Sequence, residues 1–240
     1  MWQTESIAGR SADVFTPADR PRFVVVFLAD LDGVTFKDQS AWTALLSSNQ
    51  MACVCTAGAE GWYASRLCPT FDAAKSAESY LLDDVLPWTK QRFAIPAAAI
   101  ALVGVGVGGQ GALRLGFKHP SRFRTVVSLA GAIDHYELYG SGTGLDVMYP
   151  TREHCRQDGV MLHVHPSNWP PNVWFACDPD SPWLRGNDRL HEKLMALGVP
   201  HTFDFSTRVC GHSWTYYDAL APTLMRFVVE GLEKEARRLL

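Results

Sequence analysis

The sequence predicts an α/β fold: a mostly parallel sheet covered by helices on both faces. Three observations carry this prediction. Phe23-Val-Val-Val-Phe-Leu28 and Met51-Ala-Cys-Val-Cys55 are unbroken apolar runs, the pattern of strands buried on both sides. Amphipathic stretches alternate with such runs, among them Ala73–Phe93, with Tyr80, Leu81, Val85 and Trp88 on one stripe. Finally, the strand Ala99–Val103 runs directly into Gly104-Val-Gly-Val-Gly-Gly-Gln-Gly111, a glycine-rich strand-to-helix joint. With 240 residues the chain can bury one sizeable core, and the expectation is a single domain over 1–240.

The elements follow in order. Short segments at Glu5–Ile7 and Ala12–Phe15, separated by Gly9, predict a leading hairpin ahead of the two buried strands. Asp72 is placed to cap the helix of 73–93, and Pro87 to bend or end it. After the glycine loop a helix runs through Ala112, Leu113, Leu115 and Phe117 to His119-Pro120, and Thr125–Leu129 is the next strand. The segment from about 134 to 171 is irregular and rich in Gly, Pro, His and aromatic residues, which predicts a lid-like insertion. Val173–Cys177 is a strand, Arg189–Leu197 a helix stopped by Gly198, His201–Phe205 a last strand, and a terminal helix starts near Tyr216.

Composition excludes several functions. A net charge of −3 offers no basic field to nucleic acid or to an acidic membrane. The six cysteines lack both the density of a disulfide scaffold and a CxxC zinc pattern, so they read as small buried hydrophobes in a reducing compartment. There is no basic stretch followed by an apolar core near Met1, and no apolar run approaches the ~20 residues of a membrane span. The expectation is a cytoplasmic protein. His163-x-His165 has the strand spacing of two metal ligands but no third, and neither a metal nor a cofactor is expected.

The glycine loop admits two functional readings. Gly104-x-Gly106-x-x-Gly109 fits the dinucleotide fingerprint, in which glycines bring a pyrophosphate to a helix N-terminus. It lies mid-chain, whereas a dinucleotide-binding unit usually begins with it. The second reading is a nucleophile elbow, GxSxG, with Gly106 at its centre. Here the stretch Gly104-Val-Gly-Val-Gly-Gly-Gln-Gly-Ala-Leu113, the helix ending in His119-Pro120 and the pair Arg122-Phe123 resemble the esterase D-like branch of the α/β-hydrolases, which includes S-formylglutathione hydrolases and feruloyl-esterase-type enzymes. The family's serine is Gly106 in this chain.

The resemblance extends from about Phe23 to Phe227 and implies an α/β-hydrolase fold acting on small-molecule esters or carboxylates. It implies a triad acid after Val173–Cys177, either Asp180 or Asp178, and a base at His212 within Gly211-His-Ser-Trp214. The backbone N–H groups of Leu31 and Val107 are the implied oxyanion-hole donors, and Trp183, Tyr136 and Trp214 the aromatic residues expected to touch substrate. Where the family carries His-Gly, this chain has Ala29-Asp30-Leu31-Asp32-Gly33, and an anionic Asp30 would oppose a developing oxyanion. With Gly106 in place little serine-esterase activity is expected, either because a Ser→Gly change silenced an active enzyme or because the chain is a natural pseudo-hydrolase. The expected geometry brings Gly106, His212 and one of Asp178 or Asp180 together at the C-terminal edge of the sheet, under a mostly apolar cleft roofed by 134–171. No nucleic-acid or membrane partner is expected, and a homo-oligomer is compatible with everything above.

Overall fold

The computed structural model describes residues 1–238. Ala8 and Gly9, both with positive φ, turn β1 (Trp2–Ile7) back onto β2 (Arg10–Phe15) as the expected hairpin. The apolar runs form β3 (Phe23–Leu28) and β4 (Met51–Thr56), with α1 (Ser40–Ser48) between them. β5 (Ile100–Val105), β6 (Thr125–Leu129), β7 (Asn172–Ala176) and β8 (Thr202–Asp204) complete an eight-stranded sheet in the order β1-β2-β4-β3-β5-β6-β7-β8. From β4 to β8 every pairing is parallel, and the leading hairpin joins antiparallel to β4. This is an α/β-hydrolase-like sheet.

Each central strand feeds two apolar layers by alternation. Val24, Val26 and Leu28 face one layer, while Val25 and Phe27 face the other. The first layer holds α4 (Gly106–Lys118), α8 (Leu184–Ala196) and the helical stretch of α2 (Ala77–Tyr80) and α3 (Leu86–Phe93). The second is covered by α1 and α9 (Trp214–Arg237). No described helix is long and apolar enough to cross a membrane. All six cysteines are free, and only Cys210 is exposed.

The helix predicted over 73–93 starts later and is irregular. Ser76, not Asp72, accepts from the N–H of Ser79 and caps it, while Asp72 closes a separate turn through Ala74 and Lys75. Between α2 and α3, Leu81–Val85 widen into a π-turn, because the ring of Pro87 clashes with a carbonyl one turn earlier and cannot donate to it.

The segment of 134–171 folds as α5 (His135–Leu138), α6 (Gly144–Met148) and α7 (Arg152–Gln157), tied to α4 and α2 by a buried charge cluster. Arg114 of α4, fully buried, pairs with Glu78 at 2.5 Å and with Asp158, which also takes the Tyr149 hydroxyl. Lys118 and His119 close on the same Glu78, and this company holds its carboxyl at about 2 although burial opposes the charge. Removing one partner of such a cluster leaves the others buried and uncompensated. Arg114→Met should therefore cost about 3–5 kcal/mol in urea unfolding. A loss below about 1 kcal/mol would show that the insertion is held by apolar packing alone.

Candidate functional site

β3 and β5 are neighbours, and Leu28 pairs with Gly104. Two residues beyond each, at the C-terminal ends of adjacent parallel strands, stand Asp30 and Gly106. In open parallel sheets this edge is where ligands bind. Gly106 occupies the strand-to-helix joint with φ of +54°, a left-handed conformation in which a side chain is strained. The glycines around it serve contact: a Cβ at Gly104 would stand 2.1 Å from the Gly108 carbonyl oxygen, and one at Gly108 would stand 1.9 Å from that of Leu28. They let α4 lie directly on β3 and β5.

The space beside Gly106 is filled from across the sheet. A Cβ at residue 106 would fall 2.0 Å from Oδ2 and 2.3 Å from Cγ of Asp30, so the Asp30 carboxylate sits where a side chain of residue 106 would go. Its Oδ1 accepts the N–H of Leu31 at 2.8 Å and that of Val107 at 3.0 Å. Its Oδ2 accepts from His212 Nε2 at 2.9 Å. Burial works against the charge, but the bonds from His212, Val107 and Leu31 outweigh it and hold the carboxyl below its usual range.

His212 is carried by the loop between β8 and α9, and Ser213 caps α9. Fully buried Asp178 fixes this loop by accepting the N–H groups of Val209 and Gly211, and also that of Asp180. The second ring nitrogen, Nδ1, meets the Tyr217 hydroxyl at 2.7 Å. Burial, reinforced by the nearby Asp30 charge, pushes the Tyr217 phenol upward, so it remains a neutral O–H. A carboxylate can only accept, so Nε2 carries a proton; in the neutral ring Nδ1 is then the acceptor and Tyr217 donates to it. A serine triad needs the opposite tautomer, with Nε2 free to take the serine proton.

The structure thus brings Gly106, His212, Leu31 and Val107 to one point, but leaves the two candidate acids elsewhere. Asp180 is exposed and paired with Arg208 at 2.7 Å, and Asp178 is spent on backbone N–H groups; neither hydrogen-bonds His212. The carboxylate on His212 is Asp30. Sequence reasoning noticed Asp30 as a charge near the oxyanion loop and missed its seat; Tyr217, five residues after His212 in chain order, went unnoticed altogether.

The cleft beside Asp30 measures about 250 Å³ and is lined by hydroxyls and acids, among them Ser11, Asp13, Thr35, Thr56, Glu60 and Tyr63. It is not the apolar cleft roofed by 134–171 that the sequence suggested. That insertion contributes Asp134, Glu137 and Leu138 to a different cleft of about 240 Å³ with Trp183, whose ring adjoins His212. Of the aromatic candidates, Trp183 meets His212 edge-on at 6.0 Å, Trp214 packs on Phe27, Phe36 and Tyr217, and exposed Tyr136 lies under Arg152. None lines the cleft at Asp30. His163 bonds Asp158, and His165 accepts from the N–H of Ser167. The dinucleotide reading finds no support, since the first free amide of α4, Val107, already holds a carboxylate.

A model of the family described as Putative esterase matches residues 35–224. The chain belongs to this family. Asp30 lies just ahead of the matched span. Among solved structures, the chain resembles the fluorophosphonate-binding serine hydrolase F of Staphylococcus aureus (TM-score 0.74, 16% identity, 91% of this chain and 92% of that one). It is also similar to a ferulic acid esterase (0.73, 16%, 97% of each) and to the S-formylglutathione hydrolase of Agrobacterium tumefaciens (0.71, 17%, 100% and 94%). At such identities the likeness establishes the fold. A comparison with curated proteins found no match.

The Asp30 bonds have a signature in acid. Its folded pKa lies below the unfolded ~3.9, so its contribution is complete above that value and disappears as pH falls through the folded one. The gap in unfolding free energy between the native chain and Asp30→Asn should therefore close as pH falls from ~4 through the folded carboxyl's lowered range. A gap that stays undiminished down to pH ~2 would contradict the hydrogen-bonded carboxylate.

Proposed function

We propose that this esterase-family protein receives small, neutral ester-like molecules in the cleft beside Asp30 and does not process them by the acyl-serine route. The nucleophile position is vacant at Gly106, which makes the chain a pseudo-hydrolase toward ordinary esters. One observation carries the reading: the Asp30 carboxylate fills the seat of the missing side chain and takes both N–H groups that would stabilise an oxyanion. A bound ester carbonyl would find both of these N–H donors engaged, and the acid-lined cleft disfavours carboxylate ligands. His212, presenting a proton rather than a lone pair at Nε2, supports the same conclusion. The free cysteines suit a reducing, cytoplasmic setting.

Asp30 and a residue-106 side chain exclude each other, so restoring serine alone should restore little. Gly106→Ser would push the carboxylate out of its seat yet leave the charge next to the hole. Gly106→Ser with Asp30→Gly frees Leu31 and Val107 and lets the His212 ring take the other tautomer, with Nδ1–H donating to Tyr217. With p-nitrophenyl acetate, the unmodified chain should give no acyl-enzyme burst. The double variant should give a burst and a rate at least about 10²-fold above Gly106→Ser, the usual worth of an oxyanion-hole donor. A burst from the unmodified chain, or full activity in Gly106→Ser, would overturn the proposal.

A further inference from the structure

We propose that Asp30 is itself a nucleophile, directed at a saturated carbon that bears a leaving group, with a small primary alkyl halide as the substrate class. The inference rests on the reading that the serine route is closed, and it starts from how the carboxylate is held. Its two oxygens are placed differently. Oδ1 is fixed by the N–H groups of Leu31 and Val107, while Oδ2 occupies the seat a residue-106 side chain would take and touches only His212 among its hydrogen-bond partners. The side chain is 17% exposed and lines the cleft of about 250 Å³, whose mouth is open to small molecules. It is therefore a largely desolvated anion at the border of a cavity, and a carboxylate with so little water around it is the more able to attack carbon.

The same contacts decide the kind of electrophile. Attack on an ester carbonyl needs donors for the carbonyl oxygen, and the two donors at this point are engaged by Oδ1. Displacement at a saturated carbon builds no oxyanion on the substrate and needs none. Oδ2 forms the new C–O bond, the carbon–halogen bond breaks, and halide departs with the electron pair through the open mouth of the cleft into water, away from the acids that line it. Asp30 is now a neutral alkyl ester whose carbonyl oxygen is Oδ1, already in contact with two N–H donors.

The second half of the cycle uses groups already in place. Loss of the carboxylate charge removes the strong acceptor on Nε2, so the His212 ring can take the tautomer with Nδ1–H donating to the Tyr217 hydroxyl and its Nε2 lone pair free. A water then attacks Cγ of Asp30 and gives a proton to Nε2, while negative charge collects on Oδ1 between Leu31 and Val107. Collapse of this intermediate breaks the Cγ–Oδ2 alkyl ester linkage on the substrate side of Cγ, and the departing alkoxide takes the proton from His212. The carboxyl proton is lost to solvent. The sum is alkyl halide plus water giving alcohol, halide and a proton, and one oxygen of Asp30 is replaced by an oxygen from water.

That exchange gives a test independent of any acyl chemistry. The unmodified chain is incubated with n-butyl, allyl and benzyl bromide in heavy-oxygen water, and bromide release and peptide masses are followed. The expected result is bromide release beyond one per chain, heavy oxygen in the Asp30 peptide, loss of turnover in Asp30→Asn, and an alkyl ester trapped on Asp30 in His212→Gln. Exposed Cys210 will also be alkylated, but it releases a single bromide and its mass gain maps to another peptide. Folded chain that yields no bromide beyond the Cys210 equivalent, and no label or alkyl group on Asp30 with any of the three bromides, would overturn the inference. Those outcomes leave the vacant serine position untouched, which stands or falls on the p-nitrophenyl acetate burst.

Discussion

The carboxylate of Asp30 accepts three hydrogen bonds from three separate parts of the chain: its own loop through Leu31, the start of α4 through Val107, and the β8–α9 loop through His212. It can do so because residue 106 has no side chain, and residue 106 can lack one because the carboxylate fills the space. Everything else at this edge of the sheet adjusts to that contact. The His212 ring turns its protonated Nε2 to Asp30, Tyr217 takes the role of partner at Nδ1, and Asp178 is left to hold the loop rather than the ring. The lack of a side chain at residue 106 is in this way tied to the tautomer of a residue 106 positions further along the chain.

Electrostatics explains why the arrangement is stable. An anion beside two backbone N–H groups at a helix start and strand end meets favourable partial charge, and His212 adds a third donor. In a working esterase those same donors meet negative charge only as it develops on the substrate. Here the charge is permanent and belongs to the protein. The surroundings that suit an oxyanion are thus occupied by a carboxylate of the chain itself, and the left-handed backbone at φ of +54° costs less for Gly106 than for a residue with a side chain.

Much of the architecture was legible in the sequence because burial on both faces writes itself as unbroken apolar runs, as in Phe23–Leu28 and Met51–Thr56. The joint at Gly104–Gly111 was legible because close helix–strand contact admits only glycine at 104 and 108. The Ala73–Phe93 periodicity located a helix but not its cap, since Asp72 and Ser76 are equally good capping residues and only the turn around Ala74 distinguishes them. At the site, Gly106, His212, Leu31 and Val107 were readable from motifs. The partnership of Asp30 was not, because it joins residues 182 apart and depends on the register between β3 and β5. Asp180 looked like an acid for His212 by its place in the chain, yet a surface arginine, Arg208, was the nearer charge.

The central claim, that Asp30 and a side chain at residue 106 compete for one volume, is tested most directly by a double-mutant cycle on stability. Gly106→Ala carries a backbone penalty in any context, and in the native chain it must also displace the carboxylate from its three hydrogen bonds. Asp30→Gly removes the competitor, so Gly106→Ala should cost less in that background. Urea unfolding of the four chains should give a coupling of ~1 kcal/mol or more, within the range seen for residues in contact. Additivity within ~0.3 kcal/mol would mean that the two positions do not share the space, and would contradict the account.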